Sequence, residues 1–566
     1  MLRGVNHIEI SLVMSSFRKV RYIPVGIVLL GIARLSAAQV ATSPTVPEAA
    51  AYVPAITVSG DSVERLRMSQ LEGRAPLKGM LLRSTSSLTD PVLWGSGVRG
   101  VTAVLPQVTS AINSELPYGQ NDGAMWAGKG YNLRVLGGLA VDFGPLRIVA
   151  IPELVSSTNY SNTVDVTDLR FSRPLPSYRS PFSSPFNVVP YSIDLPYRFG
   201  DKTINKVYPG QSSVTVTFGP MQIGAATENE WWGPAQRNPL LLGDNAAGFP
   251  HAFLRTGRPL VSPVGVFDAR WIVGGLKESD YFDNDETNNV RSLSAFALTW
   301  KQRPSAGFSI GIMRSVYAPA DGYGSAFGKP FDFLKSTGRP NALAVSDSTM
   351  TPGPDQIMSF FAHWALPRYG LETYVEWART ELPSLRQFIL TPQHTRGYTG
   401  GAQWVKRTGE NSRFRFRGEL TNVEQSSTYR FGPIGSFYTS RAVAQGYTNE
   451  GQMLATGIGP GSSGEWLAFD WFLGGLQAGG NFTRTRFNND AFFLKSNPHR
   501  CFHDVTVAPG LSAGWTNKLF RLRADWSKVT RYNTFWQRVR GCGSDDTAIG
   551  DRSSQNFVLT LSTLGW

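Results

Sequence analysis

The sequence predicts an all-β protein, a transmembrane antiparallel β-barrel of about 16–18 strands with a short N-terminal segment outside the barrel. Three observations predict this fold. Charged and apolar residues alternate along many short segments, and the connections between those segments alternate between short and long. The composition is also that of a β-protein, with 58 glycines, 12% aromatic residues and only 17% charged residues. That charged fraction is below the quarter that is usual for soluble domains.

Period-two alternation is sharpest in RFRFRGEL (413–420), and it recurs in FRLRADWS (520–527) and LETYVEWA (371–378). Successive side chains of a strand point to opposite faces, so each segment has one charged face and one apolar face. In a membrane barrel the charged face points into the lumen. The predicted inward charges are Arg413, Arg415, Arg417, Arg521, Arg523, Glu372, Glu376, Glu419 and Asp525. Their mixed signs fit salt-bridge ladders in the wall, or a path for a polar solute.

The connections distinguish a membrane barrel from a soluble β-sandwich, whose strands would also alternate. After residue 264 the short connections are 301–306, 367–370, 407–411, 474–475 and 515–518, and the long ones are about 277–290, 317–355, 381–396, 425–463, 488–503 and 536–554. Alternate connections of an antiparallel meander lie at the same end. The short turns are therefore predicted to face the periplasm and the long loops the cell surface. The chain ends on Trp566, and outer-membrane barrels commonly end on an aromatic residue.

The N-terminus has the pattern of a secretory signal, predicted over residues 1–38. Basic residues precede the apolar run 23–33, and small residues at 36–38 offer a cleavage site. Met14 is an alternative start. A membrane-anchoring helix is the alternative interpretation, although the apolar run is short for a membrane span.

Three regions follow from these patterns. After the signal peptide, residues 39–125 are predicted to be a linker or irregular segment that is able to form a plug, and residues 126–566 the outer-membrane barrel. The formal net charge of +13 suggests anionic partners such as lipopolysaccharide or acidic polysaccharide. An exported chain is not expected to bind nucleic acid.

No catalytic motif is present: the sequence has no P-loop, no H-E-x-x-H and no G-x-S-x-G. We therefore expect no catalytic residues, no cofactor and no metal. The acidic stretch SDYFDNDETNN (279–289) is interpreted as a solvated loop, with divalent-cation binding as the alternative. The two cysteines, Cys501 and Cys542, both fall in predicted outer loops, where a disulfide is expected in an oxidising compartment. Metal binding with the histidines of HRCFH, and free thiols, are the alternatives.

The most unusual stretch is ENEWWGPAQRNPLLLGDNAAGFPHAFL (228–254), in which acidic residues and paired tryptophans precede a Gly-Pro break. It resembles the tryptophan-Gly-Pro segment of capsule assembly proteins of the Wzi family. The segment YTNEGQMLATGIGPGSSGEW (447–466) is similar to that family's late glycine-rich segment. GYNLRVLGGLAVDFGPLRIVAIPEL and LETYVEWAR fit its strands, and the resemblance extends over about 125–566. The N-terminal segment departs from the family's helical, charged start.

Candidate polysaccharide-binding residues come from these two segments. Aromatic rings stack on sugars while carboxylates, amides and guanidinium groups bind hydroxyls, although the same residues also suit a wall or plug contact. The candidates are Glu228, Asn229, Glu230, Trp231, Trp232, Arg237, Asn245, Tyr447, Asn449 and Gln452.

The resemblance implies a monomeric, non-enzymatic barrel in the bacterial outer membrane, with its loops at the cell surface. Its implied role is lectin-like, in assembling or anchoring capsular or other exported polysaccharide. Expected partners are extracellular polysaccharide, lipopolysaccharide and other outer-membrane lipids, and the barrel assembly machinery. The first alternative is a porin-like channel for a small polar solute, and the second is a secreted polysaccharide-active enzyme.

Overall fold

The computed structural model describes residues 55–90, 100–161, 193–282, 286–335, 353–382, 384–430, 435–440, 442–494, 502–536 and 550–564. All of these belong to one compact unit, Pro47–Trp566. The predicted signal peptide, both cysteines and Trp566 lie outside the described residues. Among the described residues, no helix has the length and apolarity that a membrane span requires.

The elements are numbered in chain order over the described residues. The strands are β1 Leu82–Ser84, β2 Val101–Asn113, β3 Gly130–Phe143, β4 Leu146–Ala150, β5 Glu153–Ser157, β6 Ile204–Tyr208, β7 Ser213–Phe218, β8 Met221–Ala226, β9 Glu230–Trp232, β10 His251–Thr256, β11 Leu260–Ser262, β12 Gly265–Lys277, β13 Val290–Lys301, β14 Phe308–Ala320, β15 Asp355–Leu366, β16 Leu371–Arg379, β17 Arg396–Arg407, β18 Ser412–Asn422, β19 Thr448–Asn449, β20 Gln452–Met453, β21 Ser463–Leu473, β22 Leu476–Phe487, β23 Asp504–Thr516, β24 Phe520–Tyr532 and β25 Arg552–Thr563. The α-helices are α1 Asp61–Leu71, α2 Thr85–Leu88, α3 Tyr323–Phe327, α4 Leu385–Leu390 and α5 Asn489–Leu494. Single-turn 3-10 helices lie at Asp332–Leu334, Pro367–Tyr369, Ser427–Arg430 and Thr534–Trp536.

The wall is a closed antiparallel β-barrel of 18 strands, counted over the described residues with each interrupted strand taken once. Three wall strands are interrupted: β4 continues into β5, β6 into β7, and β10 into β11. The barrel closes where β2 pairs with β25, from Gln107 opposite Ser562 to Asn113 opposite Asn556. The predicted barrel is confirmed.

The two ends of the barrel differ as the sequence predicts. The turns 367–370, 408–411 and 474–475 are short, and the connections 380–395 and 423–462 at the other end are long. The barrel nevertheless begins earlier than the predicted residue 126, because β2 already belongs to the wall. The apolar and small residues of β2 show only faint alternation, which is why the sequence pattern did not identify it as a strand.

The faces of the wall strands follow the period-two pattern. On β18, Phe416 is 46% exposed on the outside and stacks on Trp404 with ring centroids 5.8 Å apart. Arg415 is buried on the lumen side, and its guanidinium donates to Asp470 of β21 at 3.0 Å. Apolar side chains therefore face lipid while the charged side chains pair inside.

Residues 55–90 form an N-terminal plug inside the barrel, near the short turns. Its helix α1 has Asp61 and Glu64 in the first turn, where acidic side chains favour a helix. Glu64 binds Arg415 at 3.0 Å and Arg417 at 2.8 Å on the wall. Asp61 binds Arg521 at 3.0 Å. The predicted inward charges thus serve partly as anchors for this segment.

Burial competes with these cations in setting the pKa of each acidic group of α1. Burial raises the pKa of Asp61, but Arg65, Arg521 and Arg523 together lower it by a larger amount, so the net shift is downward. Burial also raises the pKa of Glu64, and Arg417 and Arg415 reverse the shift. Both carboxylates are therefore held in the charged form that the wall arginines bind.

The main hydrophobic core also lies within the barrel, not between sheets. It joins inward wall residues such as Leu293 and Ile357 to buried residues of two long connections, including Leu241 and Tyr447. The connections 227–250 and 423–462 therefore fold inward from the long-loop end and fill much of the lumen.

Candidate functional site

The tryptophan-Gly-Pro stretch lies in the lumen and pairs with the N-terminal plug. Strand β9 pairs antiparallel with β1, with Trp232 opposite Leu82. Trp231 and Trp232 are fully buried, and the Arg83 guanidinium lies over the Trp231 ring at 4.5 Å. The chain then turns at Gly233, whose φ of 100° favours glycine. A Cβ at this position would lie 2.7 Å from Glu376 Oε2 of the wall. The Gly-Pro break therefore returns the chain from the plug to the wall.

The two glutamates of this stretch, Glu228 and Glu230, are buried and bind groups of the plug and of the wall. Glu228 accepts hydrogen bonds from the Ser86 backbone N–H at 2.5 Å and the Ser86 hydroxyl at 2.6 Å, in the first turn of α2. Glu230 binds Arg270 of the wall at 2.6 Å and accepts from Trp232 Nε1 at 2.9 Å. These two glutamates fasten the plug and the wall to the same segment.

The residues after the Gly-Pro break are positioned by one wall carboxylate. Glu419 of β18 accepts from the backbone N–H of Gln236 at 2.6 Å and of Asn238 at 2.8 Å. This leaves the Arg237 side chain projecting from an anchored backbone. Its guanidinium lies over the Trp466 ring at 4.9 Å and donates to Gln120. Burial lowers the pKa of Arg237, and Tyr118 and Glu419 act in the opposite direction.

The late glycine-rich segment packs against the first. Tyr447 is fully buried and donates to Ser315 Oγ at 2.9 Å. The Asn449 amide donates to Ala247 O at 3.0 Å, while its side-chain oxygen accepts from the Lys277 N–H at 2.9 Å. The amide of Asn245 donates to Ala455 O, and its side-chain oxygen accepts from the Asn121 N–H at 2.8 Å. The two segments that carry the sequence resemblance therefore form one interlocked element.

A cavity of about 530 Å³ remains between this element and the wall, which is within the range of small-molecule sites. It extends from Glu64 of the plug to Tyr197 near the long-loop end. Six aromatic residues line it: Tyr118, Trp126, Tyr197, Trp466, Phe487 and Phe535. Polar and charged groups line it as well: the amides of Gln120, Asn121, Asn245, Gln452, Asn481, Asn488 and Asn556, the guanidinium groups of Arg237, Arg417, Arg523 and Arg531, and the carboxyl groups of Glu64, Asp122, Asp470 and Asp525. Aromatic rings with interspersed hydrogen-bonding groups suit sugar rings and their hydroxyls.

Two aspartates adjoin this region, the half-buried Asp122 and the fully buried Asp244. Burial raises the pKa of Asp122, which lines the cavity, to about 6 despite the opposing effect of Arg134. Burial likewise raises the pKa of Asp244 to about 7 against Arg134 and the Ser59 hydroxyl, which donates to Asp244 at 2.5 Å. Both groups therefore change charge near neutral pH.

The ten residues singled out in the sequence separate into two groups. Seven are buried in contacts between plug, loops and wall: Glu228, Asn229, Glu230, Trp231, Trp232, Tyr447 and Asn449. Arg237, Asn245 and Gln452 line the cavity. Sequence reasoning missed Tyr118 and Trp126, although both stand in a loop with three glycines before a clear strand.

The family model of capsule assembly protein Wzi matches residues 188–525, more than half of the chain. No curated protein matches. A solved structure described as Wzi, an outer membrane protein involved in group 1 capsule assembly in Escherichia coli and a carbohydrate-binding β-barrel, superposes with a TM-score of 0.54 at 11% identity, over 89% of this chain and 98% of that one. OccK5 of Pseudomonas aeruginosa superposes with a TM-score of 0.37 at 9% identity, over 82% and 99% of the two chains. OccK2 of the same organism, in complex with glucuronate, gives a TM-score of 0.39 at 10% identity, over 82% and 96%.

Proposed function

The chain belongs to the capsule assembly protein Wzi family and is an outer-membrane β-barrel. We propose from this premise that it is a lectin-like, non-enzymatic barrel that binds an exported polysaccharide and holds it at the cell surface during capsule or exopolysaccharide assembly. In this proposal lipopolysaccharide and other lipids surround the barrel, the barrel assembly machinery inserts it, and a monomer suffices because the cavity is built within one chain.

The cavity is the observation that carries the proposal. Its lining combines aromatic rings with amides and charged groups, and the carbohydrate-binding description of the Escherichia coli protein agrees with that chemistry. The indole N–H groups of Trp126 and Trp466 have no acceptor among the described residues.

The filled lumen favours anchoring over the porin-like alternative. Among the described residues, the plug 55–90 and parts of the connections 227–250 and 423–462 occupy the interior. Fully buried side chains such as Trp231 and Trp232 hold them together. A solute channel requires a continuous aqueous path, whereas a polymer-binding cavity needs only one open end.

The test is the partition of surface polysaccharide between cell pellet and medium. It is measured in a deletion strain and in the same strain complemented with the wild-type protein. Anchoring predicts that the deletion strain makes the usual total amount of polymer but releases it, and that complementation returns the polymer to the cells. An unchanged partition would refute the proposal for that polymer.

A further inference from the structure

Three arginines that line the cavity are paired with carboxylates. Arg417 binds Asp470 at 2.8 Å and Arg523 binds Asp525 at 2.8 Å. Arg531 binds Asp504 at 2.6 Å. These cations are neutralised within the protein and are poorly available to a charged ligand.

Arg237 is the exception among the arginines that line the cavity. Within the described part of the chain, the contacts of its guanidinium are the neutral amide of Gln120 and the face of Trp466, and no carboxylate is within ion-pair distance of it. Glu419, whose charge raises the pKa of Arg237, is occupied by the backbone N–H groups of residues 236–238 and by the Tyr374 hydroxyl at 2.5 Å. The anchored backbone and the Trp466 ring hold this cation in place before any ligand arrives.

A preorganised, unpaired guanidinium in a partly desolvated cavity favours a carboxylate ligand, because the ion pair compensates for a charge that is already buried. The flanking aromatic rings and amides favour a sugar in the same place. We propose that the cavity binds a polysaccharide segment that carries a carboxylate sugar, with Arg237 as the specificity-determining residue for the carboxylate. This inference rests on the proposed function and specifies its substrate class.

The test uses the purified full-length barrel in detergent and isothermal titration with two probes. One probe is a linear tetramer of galacturonic acid, and the other is the same tetramer with its carboxyl groups reduced to alcohols. The wild-type protein should bind the acidic tetramer about 10- to 100-fold more tightly, the loss expected for one charge-assisted hydrogen bond. This comparison requires no variant, so it is independent of any folding defect.

The Arg237→Gln variant should bind the acidic tetramer more weakly and remove the difference between the two probes. The matched control is Arg484→Gln, because Arg484 pairs with Glu465 at 3.0 Å on the outer face, where both side chains are more than a third exposed. This control should preserve the wild-type preference. Preservation of that preference by Arg237→Gln would overturn the assignment to this residue.

Equal wild-type affinity for the two tetramers, or binding of neither, would overturn the carboxylate assignment. The proposed anchoring role would then be tested by the partition of surface polysaccharide alone. Galacturonic acid monomer is the third probe. A monomer that binds as tightly as the tetramer would identify a site for small acids and overturn the polymer assignment.

Discussion

Arg67 of helix α1 and Glu372 of wall strand β16 form a buried ion pair, with Arg67 Nη2 2.8 Å from Glu372 Oε1. The same guanidinium donates to Pro234 O at 2.5 Å, in the Gly-Pro break. One side chain of the plug therefore holds the wall and the inward-folded loop together. The pair explains how a segment of modest length stays fixed inside a wide barrel.

Breaking this pair should be costly because the remaining charge stays buried. Glu372→Ala is expected to lower the free energy of unfolding by about 3–5 kcal/mol. The double variant Arg67→Leu/Glu372→Leu should recover part of that loss. The midpoint of urea unfolding in detergent measures both effects.

The control Glu465→Ala breaks the exposed outer pair and should cost less than about 1 kcal/mol. Equal losses for Glu372→Ala and Glu465→Ala would contradict the proposed locking role.

The plug should also control conductance. Deletion of residues 55–90, with the signal sequence retained, removes the partners of Glu228 and of β9. We expect conductance in planar bilayers to rise well above that of the wild-type barrel, because the loop 227–250 loses its support. A deletion variant that folds, as judged by circular dichroism, yet conducts no more than wild type would show that the loops close the lumen by themselves.

The two tryptophan environments should respond differently to truncation. Trp232 is fully buried in the core, so Trp232→Ala should reduce stability by about 3–5 kcal/mol and leave the binding affinity of the folded fraction unchanged. Trp126 lines the cavity, so Trp126→Ala should weaken binding of an oligosaccharide with a smaller effect on the unfolding midpoint. The contrast is measured by determining, for each variant, the affinity for the oligosaccharide by titration and the midpoint of unfolding. A loss of affinity confined to Trp232→Ala would reverse the assignment.

The protonation of Asp244 should make stability depend on pH. Burial raises the pKa of Asp244 from 3.8 to about 7 in the folded protein, so the folded state binds the proton more tightly than the unfolded state does. The stabilising contribution of this group is therefore complete below its unfolded pKa and is lost as the pH rises to about 7. The neighbouring charged groups, Arg134, Glu153 and Asp122, remain in place in Asp244→Asn.

Asp244→Asn should therefore raise the thermal midpoint more at about pH 8 than at about pH 5. Thermal scans followed by circular dichroism at the two pH values measure the difference. An identical change in midpoint at both pH values would show that Asp244 is ionised throughout this range.

The wall of this protein is readable from its sequence because every wall residue faces one of two environments. Phe416 faces lipid and Arg415 faces the lumen. Because successive side chains of a strand face opposite sides, apolar and polar residues alternate along the sequence. The lengths of the connections then assign the two ends. The start of the barrel was missed at β2, whose small and apolar residues lack this contrast.

The contents of the lumen could not be predicted in the same way. The role of Glu228 depends on Ser86, and the position of Arg237 depends on Glu419, which are distant in sequence and follow no local period. The two glycine-rich segments did indicate that something specific occurs there. Local patterns do not distinguish a buried Trp231 from a cavity-lining Trp126, because each stands two residues before a glycine.

The retention of surface polysaccharide by cells that carry the double variant Trp126→Ala/Arg237→Gln tests the account most directly. The deletion strain is complemented with this variant, with wild type or with Arg484→Gln, and the amounts of protein in the outer membrane are matched. We expect the cavity variant to release polymer into the medium as the deletion strain does, while Arg484→Gln retains it. Full retention by the cavity variant would contradict the claim that this cavity binds the polymer.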